Sequence, residues 1–323
     1  MGRWLPRIVG LLLMASALAL ALSRAPDLPV QSLVARWAPP PSEFIDLNGQ
    51  LVHLRDVGPR GDAMPLVLLH GTSASLHTWE GWSNALQAQH RIISLDLPGF
   101  GLTGPLSGRY ESWSYRGDDL ARFVLELLDH LQVHRFAIAG NSLGGEVAWR
   151  VASLAPERVQ RLVLVDAAGY ELEPESVPIG FRLAALPGAN HLFEWLLPRG
   201  VVEASVRDVY GDPAKVTPQL VDRYFELTLR KGNRAALVQR IQAQATDQRG
   251  VEASVARIRA LKVPTLVMWG GRDRLIPPPM AQRFHADIAG SRLVVFDKLG
   301  HVPQEEDPVA TAAAVKYFWT EAP

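Results

Sequence analysis

From residue 65 onward, short unbroken apolar runs alternate with amphipathic stretches. The runs are "PLVLLHG" (65–71), "RIISLDL" (91–97), "RFAIAGN" (135–141), "RLVLVDA" (161–167), "PTLVMWG" (264–270) and "SRLVVFD" (291–297). Runs of this length without polar alternation predict strands covered on both faces. Ahead of them, "EFIDL" (43–47) and "QLVHLRDV" (50–57) flank Asn48-Gly49, the signature of a two-residue hairpin at the N-terminal edge. Between strands, Leu120, Phe123, Val124, Leu127, Leu128 and Leu131 fall on one helical face. Leu143, Val147, Val151 and Leu154 form a second stripe, with Pro156 just beyond its end, and Asp307-Pro308 opens a last helix reaching about Trp319. Such alternation predicts an α/β fold: a mostly parallel eight-stranded sheet with helices on both faces.

Two segments break the rhythm. Residues 168–250 carry helical patterns such as "PQLVDRYFELTLRKG" (218–232) but no convincing strand. An insertion of that size between two strands predicts a helical lid over the C-terminal edge of the sheet, dividing the core into residues 43–167 and 251–323. At the N-terminus, Arg3 and Arg7 precede "IVGLLLMASALALAL" (8–22), and no acid occurs before Asp27. A basic leader followed by an apolar run is the layout of a secretory signal. As a helix the run spans about 22 Å, against the roughly 30 Å hydrocarbon core of a bilayer. Residues 1–23 are therefore read as a signal peptide or an N-terminal membrane anchor, with membrane association through residues 4–22 in the second case. Either way the folded domain is expected outside the cytoplasm, joined through a proline-rich tether at 24–42.

Composition removes several function classes. Thirty-three basic residues balance 33 acidic ones, so no global field favours nucleic acid. The absence of cysteine excludes disulfides, thiolate metal sites and a cysteine nucleophile. No metal-binding spacing such as H-E-x-x-H occurs, and the chemistry suggested below needs neither metal nor organic cofactor.

That chemistry centres on "AIAGNSLGGEVAW" (137–149). Ser142 stands between a predicted strand and a predicted helix, with Gly140 and Gly144 two residues to either side. A sharp strand-to-helix turn tolerates no bulk beside it, which is the physical content of the G-x-S-x-G nucleophile elbow. A serine nucleophile needs a base, and the base an orienting acid. His301, in "DKLGHVPQEEDP" after the last strand, is the candidate base. Asp273, in "WGGRDRLIPP" after the penultimate strand, is preferred as acid over Asp166 and Asp297. His77 and His191 are read as exposed, though within reach of a ligand. The oxyanion formed on attack needs two N–H donors, assigned to the backbone of Leu143 and of Thr72 in "HGTSASLHTW". In the lid, Phe181, Leu183, Leu186, Leu192, Phe193, Trp195 and Leu196 are candidates either for lining an apolar pocket or for packing the lid against the sheet, and Arg182 and Arg199 are read as solvated in preference to holding a substrate carboxylate.

"LLHGTSASLHTW", "DLPGFG" (96–101), "GNSLGG" (140–145), "WGGRD" (269–273) and "GHVPQEEDP" (300–308) together resemble the α/β-hydrolase fold enzymes, in the right order over residues 43–320. The resemblance implies a Ser142–His301–Asp273 triad, an oxyanion hole at Thr72 and Leu143, a lid after the sixth strand, and a loop-shaping role for Asp96. Serine at the elbow, where haloalkane dehalogenases and epoxide hydrolases carry aspartate, implies acyl chemistry on a small-molecule substrate. "GNSLGG" is also similar to the elbow of meta-cleavage product hydrolases, which cleave carbon–carbon bonds in dienoates. Val302 and "GTSAS" depart from that group's usual residues. Carboxylic ester hydrolysis is the leading expectation; carbon–carbon bond hydrolysis and ligand binding without turnover are the alternatives.

Overall fold

The computed structural model describes residues 23–171, 175–185, 195–245 and 248–320, with scattered positions between 7 and 18. Eight strands form one sheet: β1 (Ser42–Leu47), β2 (Gln50–Val57), β3 (Leu66–Leu69), β4 (Ile92–Leu95), β5 (Phe136–Asn141), β6 (Val159–Val165), β7 (Thr265–Gly270) and β8 (Arg292–Phe296). Their order is β1-β2-β4-β3-β5-β6-β7-β8. The β1–β2 hairpin turns through Asn48 (φ 52°) and Gly49 (φ 88°), the left-handed pair a two-residue turn requires. β2 pairs antiparallel with β4, and every later pairing is parallel. The C-terminal ends of β3, β5, β6, β7 and β8 therefore share one edge, where loops can bring distant residues together.

Each face of the sheet is covered because β3, β4, β5 and β7 are buried throughout. On one side lie α3 (Gly117–His130) and α4 (Leu143–Leu154), whose Leu120, Phe123, Val124, Leu127, Val147 and Val151 join the larger core. On the other, α2 (Glu80–Leu86) and α12 (Pro308–Thr320) meet in a smaller core around Trp79, Trp82 and Phe318. The Trp82 indole N–H donates to Thr311 Oγ1 at 2.9 Å, so its polar edge is satisfied within that core.

Between β6 and β7 the chain forms α5 (Ile179–Ala184), α6 (Arg199–Val209), α7 (Pro218–Thr228), α8 (Asn233–Ala245) and α9 (Gln248–Arg259). Thr217 caps α7, its hydroxyl accepting from the Leu220 N–H at 3.2 Å, and Pro218 occupies the first helical position. α9 runs through residue 250, where the sequence reading returned the chain to the core. Residues 24–42, read as a tether, carry helix α1 (Val30–Trp37) and lie along α7: Leu28 N–H donates to Leu229 O (2.7 Å), and Trp37 Nε1 to Glu226 Oε2 (2.7 Å). Leu33 is buried on Leu102 and Leu227. The amphipathic spacing inside 30–37 outweighs the flanking prolines. Most of residues 1–22 lie outside the described residues; no helix among the described residues is long and apolar enough to cross a membrane.

Candidate active site

Ser142 directly follows β5 and caps α4 with φ 56° and ψ −116°. A non-glycine residue in this region costs about 1–3 kcal/mol, so surrounding bonds must impose it. Three do: Ser142 N–H donates to Val165 O, and Ser142 O accepts from Glu146 N–H and Ala168 N–H, each at 3.0 Å. A Cβ at Gly140 would lie 2.0 Å from Gly144 O, and one at Gly144 would lie 2.1 Å from Leu69 O. The two glycines are thus a steric condition for the turn, as the sequence motif implied.

The loops after β7 and β8 bring the predicted acid and base together. His301 Nδ1 lies 2.7 Å from Asp273 Oδ2, with both side chains buried. Asp273 Oδ1 accepts from the N–H groups of Leu275 (2.8 Å) and Ile276 (3.0 Å), which fix the carboxylate's orientation. With Nδ1 engaged by the acid, Nε2 is the nitrogen left for proton transfer. Ser142 and His301 border the same cavity. Asp297, one of the two rivals, is exposed. Asp166 is fully buried at the end of β6, with Oδ1 accepting from Gly270 N–H at 3.0 Å.

Asn141 is a site residue that the sequence reading missed. Its Nδ2 donates to His301 O (2.9 Å) and to Val165 O (3.2 Å), tying the base loop to the strand that carries the nucleophile. A polar residue closing an otherwise apolar strand was the available signal.

Thr72 and Leu143, the predicted oxyanion donors, both border the cavity. Leu143 is the first residue of α4, where free N–H groups and the helix dipole favour negative charge. The loop bearing Thr72 is braced by His70, whose Nε2 accepts from Leu97 N–H (2.9 Å). Its Nδ1 therefore carries the proton and donates to Gly71 O (2.7 Å). Burial holds this imidazole below its ordinary proton affinity, keeping it neutral. Asp96 accepts from Leu76 N–H and Leu102 N–H, each at 2.7 Å, and its Oδ2 lies 2.6 Å from His53 Nδ1. It shapes loops rather than facing the cavity. His77, read as exposed, is buried against Ser75 Oγ (2.9 Å) and Trp37 O (2.8 Å). His191 lies outside the described residues.

The cavity has a volume of about 330 Å³ and is walled mainly by the inserted helices, including Phe181, Leu197, Val202, Val206, Leu237 and Ile241. Of the pocket candidates from sequence, Phe181 lines it; Leu196 does not, and Leu183 and Trp195 point to solvent. Leu186, Leu192 and Phe193 lie outside the described residues. Arg182 is exposed, and Arg199 Nη2 is bound to Asp222 Oδ1 at 2.6 Å; neither borders the cavity. The cationic side chain among the described lining residues is Arg240, which sequence reasoning passed over. Its guanidinium is held in place by donating to Tyr115 O (2.6 Å) and to Glu146 Oε2 (2.9 Å), a carboxylate that also accepts from Arg150 Nε at 3.0 Å.

A model of the alpha/beta hydrolase fold family matches residues 64–308. The chain is 32% identical over 267 residues to a dihydrolipoyllysine-residue acetyltransferase component of an acetoin cleaving system from Pseudomonas putida, covering 83% of this chain but only 66% of that longer protein. It is 30% identical over 269 residues to a 2-hydroxymuconate semialdehyde hydrolase from Pseudomonas sp. (strain CF600), covering 81% of this chain and 89% of the relative. Among solved structures, a meta-cleavage product hydrolase from Pseudomonas fluorescens superposes with a TM-score of 0.72 at 25% identity, covering 87% of this chain and 98% of that one.

Proposed function

The chain belongs to the α/β-hydrolase fold family, and from that premise we propose that it is a serine hydrolase of neutral carboxylic esters with an apolar acyl group. In this reading His301 Nε2 takes the Ser142 proton as Oγ attacks the ester carbonyl, and the Asp273 carboxylate stabilises the imidazolium that forms. The N–H groups of Thr72 and Leu143 receive the oxyanion. His301 then gives its proton to the leaving alkoxide. Water, activated by the same base, opens the acyl-enzyme and restores Ser142. The inserted helices serve as the lid that shapes the acyl site and excludes water.

The observation that carries the choice of substrate is the state of Arg240. A related hydrolase acts on 2-hydroxy-6-oxo-2,4-heptadienoate, an anion by name. A buried carboxylate needs an uncommitted cation, and here Glu146 and Tyr115 O already hold Arg240. The remaining wall is dominated by aliphatic and aromatic side chains, suited to a neutral acyl chain.

A fluorophosphonate probe on the full chain and on Ser142→Ala, with nitrophenyl esters of graded acyl length, tests this reading. Labelling that depends on Ser142, and at least tenfold preference for a neutral acyl group over one of equal length ending in carboxylate, are expected. Absence of both labelling and turnover would point to ligand binding without catalysis. A dienoate outpacing every ester by orders of magnitude would hand the assignment to carbon–carbon bond hydrolysis. For the leader we infer export or membrane anchoring by residues 1–23; recovery of the full-length mass from the soluble cytoplasmic fraction would refute it.

A further inference from the structure

Two buried carboxyl groups, not one, stand behind the base. Asp166 occupies the position after β6, at φ 44°, and its side chain has no exposed surface. One ligand atom each from Asp166, Asp273 and His301 fall within 4.8 Å of one another. Two ionised carboxylates cannot share so small a dry volume without strong repulsion, and such pairs retain a proton between them.

The hydrogen bonds assign that proton. Asp273 receives three donors: the N–H groups of Leu275 and Ile276 on Oδ1, and His301 Nδ1 on Oδ2. That is an environment built for an anion. Asp166 receives one, from Gly270 N–H on Oδ1, and its buried Oδ2 has no acceptor's partner at all. A hydrogen on Oδ2 turns this orphaned acceptor into a donor, with Asp273 the carboxylate beside it. The other titratable group acting on Asp166 is Glu306, an acid of the same sign, engaged by the N–H groups of Gly211, Asp212 and Gly300. Burial first, and the charge of Asp273 second, push the Asp166 carboxyl well above the usual carboxylate range.

We propose that Asp166 is a neutral carboxylic acid whose O–H is directed at Asp273, making it a positioning residue for the acid–base pair and its reserve acid. While Asp273 is present, the pair carries one negative charge and Asp166 only orients it. With Asp273 removed, the repulsion that adds to burial in keeping Asp166 protonated disappears, and His301 is left as its neighbour. Asp166 then ionises beside His301 and stabilises the imidazolium in its place.

This rests on the serine-hydrolase reading for its kinetic arm only, so two measurements are combined. In the first, the full chain is labelled with carboxyl-¹³C aspartate and titrated by NMR. One aspartate is expected to keep the chemical shift of a protonated carboxyl through neutral pH, and that resonance should vanish in Asp166→Asn. If every aspartate is ionised at neutral pH, the proposal fails whatever the activity. In the second, Asp166→Asn is made in the wild type and in Asp273→Ala. The amide matches a neutral acid in shape and charge, so in the wild type turnover should fall less than threefold, with the acid limb of the pH profile unmoved. In Asp273→Ala the same change should cost at least thirtyfold more than it does in the wild type. Equal costs in both backgrounds would reduce Asp166 to a merely structural residue. A wild type that neither labels nor turns over would defeat the hydrolase reading instead, and the NMR titration would still decide the proton.

Discussion

Replacing Asn141 with alanine cuts the link between the strand that leads into Ser142 and the loop that carries His301, the proposed nucleophile and base. The amide is 2% exposed, and its Nδ2 holds His301 O at 2.9 Å and Val165 O at 3.2 Å. Val165 O keeps the Ser142 N–H as a donor at 3.0 Å, so its loss is small, whereas His301 O loses the amide outright. A buried polar atom left without its partner costs about 1–3 kcal/mol. For a domain of this size that is a fall of about 2–5 °C in Tm. Catalysis should suffer separately, because a base displaced by about 1 Å can lose on the order of 100-fold in rate. Thermal unfolding and steady-state kinetics on the best nitrophenyl ester read both effects. We expect kcat to fall about 10–100-fold with KM within about threefold, since the acyl cavity walls are untouched. A Tm within about 1 °C of wild type together with kcat within about twofold would refute the argument that this amide positions the base.

Three other substitutions test the scaffold. Gly144→Ala places a Cβ 2.1 Å from the backbone oxygen of Leu69, a contact neither partner can relieve, and should cost about 3 kcal/mol or more in urea denaturation; an unchanged urea midpoint would mean that the elbow is not sterically set. Burial lowers the His77 imidazole to about 3, so below its ordinary value the unfolded chain binds a proton that the folded chain refuses. Stability should therefore decline between about pH 6.5 and about pH 3, by up to roughly 1.4 kcal/mol per unit from this group. His77→Gln should show a shallower decline in urea midpoints between pH 7 and pH 4.5, and an unaltered slope would count against it. Arg223→Met strands the partly buried Glu305, which also accepts from Tyr224 OH at 2.9 Å, and should destabilise by about 3–5 kcal/mol. Arg223→Met with Glu305→Gln, which keeps an acceptor for Tyr224 OH, should recover most of that loss, whereas an equal loss would show that the pair stabilises in its own right.

The sheet was legible because its strands are buried on both faces, which leaves unbroken apolar runs such as "LVLL" and "FAIAG" in the sequence. Ser142 was legible because its turn makes a steric demand that only residues like Gly140 and Gly144 can meet. Asp166 and Asp273 both follow apolar strands, and Gly270 and Gly271, which free a loop before Asp273, are the pattern that favours it. Asp273 Oδ2 reaches His301 Nδ1, while both acids belong to one cluster that no sequence pattern announced. Arg240 escaped notice because its meaning depends on partners 94 and 125 residues away in sequence, Glu146 and Tyr115. His77 escaped for a similar reason: Trp37, on a segment read as a tether, covers it.

The inserted helices and the base are not independent parts. His301 N–H donates to Val209 O at 2.8 Å, and a Cβ at Gly300 would lie 2.4 Å from both Gly211 N and Val209 O. The Glu306 carboxylate gathers the N–H groups of Gly211 (3.0 Å), Asp212 (2.9 Å) and Gly300 (2.8 Å), clamping the end of α6 to the loop of His301. Val206 and Val209, on that same end of α6, border the cavity. One rigid joint therefore shapes the wall of the cavity and holds His301. α5 is different: Phe181 borders the cavity, but the described bonds of α5 run to its own turn and to Ser205. Phe181→Ala should therefore shift acyl-length preference through KM and leave kcat on a short ester within about threefold, because the base loop does not feel it. Val209→Gly reaches the joint itself, and its effect should appear in kcat even for an ester too short to touch the wall. Equal kcat losses from the two substitutions on that short ester would show that the coupling does not run through α6.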